Sequence, residues 1–256
     1  MKRYLLAAAL VFGTTAVAWA SAPSANQILE QTLNADPFGL NGAHITARLL
    51  VRDKQGSTRE LAFVSKALRY DPPFSKSLVR FSAPSDLAGA GFLQIQKRDG
   101  DDERMLFLPD LKRARRIAGT SRSSAFMGTD LTYADLDQRD YRGAQATLKG
   151  EETIGKFACH LIDMTPRTTE SGYSHIEMWI RQDNMMPLRM RMYDLQKSLL
   201  KTFEAMEVRR VDGRWFVSKS RMTNQKTGHT TDLVLERIES TRFADEDFTV
   251  RALEKP

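Results

Sequence analysis

Ile176-Glu177-Met178-Trp179-Ile180-Arg181 and, a short gap later, Leu188-Arg189-Met190-Arg191-Met192-Tyr193 are the stretches on which the fold is decided. Ile176, Met178 and Ile180 alternate with His175, Glu177 and Arg181, and Leu188, Met190 and Met192 alternate with Arg189, Arg191 and Tyr193. Side chains along a strand point to opposite faces in turn, so a period of two places each apolar set on one buried face. The same period runs through Ala43, Ile45, Ala47, Leu49 and Val51, with the turn residues Asp53-Lys54-Gln55-Gly56 and then Leu61 and Phe63 beyond. Further strands read at residues 78–81, 92–96, 105–108, 161–164, 200–209, 214–223 and 232–240. Asp99-Gly100, Asp212-Gly213 and Thr227-Gly228 supply hairpin-length turns between some of them. The expectation is a mainly β fold, a strongly curved antiparallel sheet or barrel with one face to water and the other to an interior.

Helical material is scarce. Ser24 with Gln27 three residues on has the form of a capping box, and Ile28, Leu29 and Leu33 share a face before Pro37 and Gly39 stop the run. A second short helix is expected over Thr129–Leu136, capped by Thr129 or Asp130. Two such helices only partly fill the inside of a long sheet, so a cavity is expected there.

The N-terminus bears on compartment. Met1-Lys2-Arg3 precedes an uncharged apolar stretch from Leu5 to Val17, and Ala18-Trp19-Ala20 has the small-x-small pattern of signal-peptide cleavage. Residues 1–20 are therefore read as a cleaved signal, and 21–256 as a single periplasmic domain without an internal linker or repeat. The apolar run falls short of the roughly 20 residues that cross a bilayer. Cys159 is the one cysteine, so neither a disulfide nor a lipidated N-terminal cysteine is expected. Removing Lys2 and Arg3 takes the formal net charge from +6 to +4. That suits an anionic membrane surface and is too small to argue for nucleic acid.

No catalytic constellation emerges. His44, His160, His175 and His229 are scattered without metal-ligand spacing. Cys159 and His160 are adjacent, but neighbours on a strand point apart and cannot pair as nucleophile and base. Gly89-Ala90-Gly91 matches no phosphate or dinucleotide loop and suits a bend or close backbone approach beside Phe92. Asp99, Asp101, Asp102 and Glu103 lack the ligand spacing of a calcium loop and read as a solvated turn. Neither cofactor nor metal is implied.

Two features carry a binding reading beside a bland one. Lys112, Arg113, Arg115, Arg116 and Arg122 form either an exposed basic loop or a contact for anionic headgroups or an acidic partner, worth up to about 1 kcal/mol per cation near an anionic membrane. Met164, Met178, Met190, Met192, Met206 and Met222 lie on strand faces, as core filling or as a pliable lining for acyl chains.

The middle of the chain resembles a known family. Gly89-Ala90-Gly91-Phe92-Leu93, Asp101 to Pro109, Arg113-Ala114-Arg115-Arg116-Ile117 and Ser124 to Tyr133 are similar to the signature of the outer-membrane lipoprotein-sorting family in the LolA/LolB-like superfamily. Met186-Pro187-Leu188-Arg189 and Phe248 to Leu253 extend the resemblance. It implies a half-barrel of about eleven antiparallel strands wrapped over short helices, an apolar cavity for lipid or lipoprotein acyl chains, and an inner-membrane exporter of the resistance-nodulation-division class as partner. Moving two acyl chains, roughly 30 methylenes, through water costs on the order of 24 kcal/mol, which is why such cargo needs a carrier.

The expected function is a periplasmic carrier toward the outer membrane, with transient membrane contact. A lipid-sensing module reporting to a membrane partner is the alternative, and a lipid hydrolase a third class. Phe92, Leu106, Leu108, Met178, Leu188, Met190 and Met192 are expected to line one interior. Tyr133 is counted with them, and Phe126 and Met127 are expected to form an apolar gate beside the basic rim, with Gly128 letting the backbone turn.

Overall fold

The computed structural model describes residues 22–35, 41–71, 74–136, 141–211 and 214–255. Residues 1–20, read above as a signal, the Pro37/Gly39 stop and the Asp212-Gly213 turn lie outside the described residues.

The chain opens with α1 (Ala25–Asn34), followed by strands β1 (Gly42–Arg52), β2 (Thr58–Asp71), β3 (Phe74–Ala83), β4 (Gly91–Ile95), β5 (Glu103–Leu108) and β6 (Arg113–Arg116). A crossover then leads to β7 (Gln145–Ile154), β8 (Phe157–Thr165), β9 (Tyr173–Arg181), β10 (Pro187–Asp194), β11 (Leu199–Val211), β12 (Arg214–Asn224) and β13 (Thr230–Ser240), before α2 (Val250–Glu254). All thirteen strands form one antiparallel sheet in the order β6-β5-β4-β3-β2-β1-β13-β12-β11-β10-β9-β8-β7. Two up-and-down meanders, β1 to β6 and β7 to β13, thus meet where β1 pairs with β13, from Ala43 opposite Ser240 to Arg52 opposite Thr230. A bulge at Thr46/Ala47 bends this seam, and others interrupt β10–β11 and β11–β12.

The sheet is larger than the eleven strands expected, and the two additions, β6 and β7, are its edges. Edge strands lack a second neighbour and stay polar, so neither carries an apolar alternation.

The inner face is covered by α1 and by the crossover. Ser24 and Gln27 make the expected capping box, with Gln27 N–H donating to Ser24 Oγ (3.3 Å) and Ser24 N–H to Gln27 Oε1 (2.8 Å). Ile28, Leu29 and Leu33 of α1 pack with Ile162, Met164, Ile176 and Met178. The other half of the inner face gathers Leu49, Leu61, Phe81, Phe92 and Leu106.

One expectation about the outer face fails. Instead of meeting water, the outer side of β3–β5 buries Leu78, Leu93 and Phe107 against Phe248 and Leu253 of the C-terminal segment. The doublets Leu78-Val79, Phe92-Leu93 and Leu106-Phe107 serve both faces at once. Arg80 fastens the cover by donating to the carbonyls of Gly89 (2.8 Å), Ala252 (3.2 Å) and Lys255 (2.8 Å). Gly91 is the close approach expected beside Phe92, since a Cβ there would meet Leu253 Cδ1 at 2.7 Å. Asp102 is not solvated as expected: it is buried and accepts from Arg104 (2.9 Å) and from the Lys97 N–H (3.1 Å).

Asp232 ties three strands at the seam. Its carboxylate accepts two hydrogen bonds from Arg221 of β12 (2.6 and 2.8 Å), with Arg52 of β1 at 3.8 Å. The Arg221 bonds hold this buried carboxyl below the usual range despite the opposing effect of burial. A depressed folded-state value stabilises above the unfolded value of about 3.9, and that stability is lost as pH falls through the folded value. Arg221→Gln should therefore lower urea stability at pH 7 by about 2 kcal/mol, less than a fully buried pair because Arg52 remains. The deficit should shrink as pH falls below the unfolded value of about 3.9, as measured by paired urea titrations.

Candidate functional site

The inner face is closed by the crossover between β6 and β7. Its chain folds over the sheet with little regular structure, and loops of this length inside a compact domain usually carry function. Thr129–Leu136 is a set of turns, not the expected helix, with an isolated bridge between Ala125 and Thr132. The reason is local side-chain bonding. Thr129 Oγ1 donates to the Phe126 carbonyl (2.6 Å) and accepts from the Leu131 N–H (3.2 Å). Thr132 and Asp135 satisfy each other's backbone N–H groups at 2.8 and 3.2 Å. Such bonds compete with a helix ladder. Met127 and Gly128 take left-handed φ angles of 51° and 74°, so the turn expected at Gly128 is present.

Phe126 is a plug rather than a gate at the mouth. It is 4% exposed, and its ring centroid lies 5.9 Å from Phe81, 5.4 Å from Phe92 and 5.5 Å from Tyr133. Phe92, Leu106 and Tyr133 are buried in the same cluster, with Leu108 and Met127 packed on it half-buried. Burial pushes the Tyr133 hydroxyl up, with Arg115 opposing. Met178 and Met192 belong to the adjoining cluster under α1, with Met190 at its margin, and Leu131 packs against both clusters.

Leu188 departs from this set. It is buried with Cys159, Trp179 and Met186 instead of Met190 and Met192. The pairing of β9 with β10 slips between Pro187 and Arg189, and a slip of register breaks extrapolation by twos. Cys159 is fully buried, its thiol pushed up by burial, while His160 Nδ1 lies 3.6 Å from Glu151.

A cavity of about 200 Å³ remains between the clusters, lined mainly by Leu131, Met190, Met192, Phe203, Met222 and Leu233. That is below the roughly 300–1,000 Å³ of small-molecule sites, so the crossover and its plug take up most of the inner space.

Polar ties hold the crossover down. Arg122, expected on an exposed basic rim, is 1% exposed and donates to Glu170 at 3.1 Å. Thr231 Oγ1 donates to Asp130 (2.8 Å) and accepts from its N–H (2.9 Å). Asp135 accepts from Lys201 Nζ (2.9 Å) and from the Tyr173 hydroxyl (2.6 Å). Sequence reading missed Lys201, Tyr173, Asp135 and Thr231 because each sits singly in an otherwise ordinary strand or turn.

The remaining basic residues form an edge strand and not a loop. Leu108 pairs with Arg113 and Leu106 with Arg115, so Arg113 and Arg115 extend the inner face, while Arg116, opposite Met105, points to the outer one. All three are exposed, as are Lys112 and Leu111, the latter 49% exposed at the tip of the β5–β6 hairpin.

A family model described as uncharacterized protein-like matches residues 74–255. No curated protein matches the sequence. Among solved structures, an outer membrane lipoprotein-sorting protein domain from Vibrio parahaemolyticus is 25% identical, with a TM-score of 0.84 over 90% of this chain and 98% of that one. A DUF1329 family protein from Desulfovibrio piger is 24% identical, with a TM-score of 0.82 over 91% of this chain and 100% of that one. A LolA superfamily protein from Nitrosomonas europaea shares the fold at 17% identity, with a TM-score of 0.71 over 89% and 98%.

If Phe126 fills the inner face, Phe126→Ala should cost about 3–4 kcal/mol in denaturant unfolding. Half-buried Met127→Ala should cost about 1 kcal/mol or less. Equal costs would deny Phe126 its role as plug.

Proposed function

We propose that the chain, which belongs to the family whose model matches residues 74–255 and shares its fold with an outer membrane lipoprotein-sorting protein domain, is a periplasmic carrier of lipid or lipoprotein acyl chains toward the outer membrane. The observation that carries this reading is the apolar inner face, closed by a crossover held largely through side-chain polar bonds. Displacing Phe126 and its neighbours would uncover Phe81, Phe92, Leu106 and the methionines beyond as one apolar trough. Methionine is unbranched and repacks around chains of different shape. A carrier must also release what it binds, and a site competed for by its own plug binds less tightly than an open one.

In this reading the β5–β6 hairpin is the docking edge. Leu111 stands exposed at its tip, followed by Lys112, Arg113, Arg115 and Arg116. Its membrane partner is an inner-membrane exporter of the resistance-nodulation-division class, as the family resemblance implies.

Vesicles loaded with labelled phospholipid test both parts. The protein should extract label and deliver it to acceptor vesicles, and absence of any transfer sinks the carrier reading. Reversing Arg113, Arg115 and Arg116 to glutamate should weaken docking on phosphatidylglycerol vesicles by about tenfold or more at low salt, and much less at 0.5 M salt. Leu111→Ser should weaken docking with little salt dependence.

A further inference from the structure

We propose that Lys201 and the Tyr173 hydroxyl form the headgroup site for an anionic amphiphile, and that Asp135 occupies this site when no ligand is bound. The proposal rests on the carrier reading and narrows its cargo to a chain ending in a carboxylate or phosphate.

Lys201 lies on β11 directly opposite Met192 of β10, so its side chain enters the inner face beside the apolar lining. The side chains of Lys201 and Asp135 are 6% and 3% exposed. Among the described residues, Asp135 is the one hydrogen-bond acceptor on the Lys201 ammonium, a group with three donors. The Tyr173 hydroxyl donates to the other oxygen of the same carboxylate, 2.6 Å away. Burial above all, and then Asp135, push that hydroxyl well up, so it stays a neutral donor. Two donors converging on two oxygens of one anion describe a site that any carboxylate or phosphate can satisfy.

Asp135 belongs to the crossover, whereas Lys201 and Tyr173 belong to the sheet. Voids lie on both sides of the pair. The apolar cavity of about 200 Å³ has Asp135 in its wall, and a second of about 240 Å³ is lined by Tyr173, Lys201 and Asp130. Leu131 of the crossover lines both. An amphiphile with its head on Lys201 and Tyr173 would place its chain among Met190, Met192, Phe203 and Met222. A buried ion pair is a poor means of stability, since an apolar pair of similar volume does as well or better. Its retention beside two voids is what an exchangeable counter-ion requires.

The test is calorimetric titration of the mature chain with dodecanoate, dodecyl phosphate, dodecanol and inorganic phosphate. Both anionic amphiphiles should bind about tenfold or more tighter than dodecanol, and inorganic phosphate alone should not bind measurably. Asp135→Asn should raise dodecanoate affinity about tenfold, and Lys201→Gln should collapse the ratio of dodecanoate to dodecanol affinity toward one. The double variant Asp135→Asn with Lys201→Gln keeps a neutral hydrogen-bonded pair and serves if either single variant fails to fold. Its ratio should also be near one. Equal affinity for dodecanoate and dodecanol in the unmodified chain, or a ratio that survives in Lys201→Gln or the double variant, overturns the headgroup site and leaves the carrier reading standing. If no dodecyl ligand binds even to Asp135→Asn, both readings fall.

Discussion

The pairing of β1 with β13 is the constraint on which the rest of the molecule depends. Each meander alone is an open sheet with an apolar face. Joined over Ala43–Arg52 and Thr230–Ser240, they become one surface on which Leu49 stands opposite Leu233. The inner face is continuous only because of that seam, which the Leu49 and Leu233 cluster spans, and Leu131 of the crossover packs against both apolar clusters. Asp232, held by Arg221 and faced by Arg52, places a charge tie on the same line.

What was legible in the sequence followed the physics of half-buried strands. Where one face met an interior, as along β9, period two gave the strand and its inward residues. Where a strand lay at an edge, the signal vanished: Gln145–Ile154 is mostly exposed, and Arg113–Arg116 reads as a charged loop until its backbone is seen paired with β5. Leu188 shows a different limit, because a register slip at Pro187 is invisible in a pattern of apolar and charged letters. Arg122 looked like its exposed neighbours in composition, and only the position of Glu170, far along the chain, buries it. The family resemblance supplied the half-barrel, but the coverage of its outer face by Phe248 and Leu253 came from tertiary packing.

The candidate site combines two kinds of contact with different strengths and different ways of breaking. Phe126 among Phe81, Phe92 and Tyr133 is held by burial and ring packing, which only another apolar group can replace. Asp130 with Thr231, and Asp135 with Lys201 and Tyr173, are held by polar bonds that another anion or hydroxyl can replace. An amphiphile carries both replacements in one molecule, and water carries only one.

The seam also sets the order in which the chain can fold. β1 finds β2 a few residues away, but its other side waits for a partner beginning at Thr230, nearly 180 positions further on. Contacts of such separation form slowly, because a long loop must close before they gain anything. Until the last strand arrives, the middle of the future sheet is a bare backbone edge. A nascent or truncated chain lacking β13 would therefore leave that edge of β1 without its partner, open to pairing with another chain.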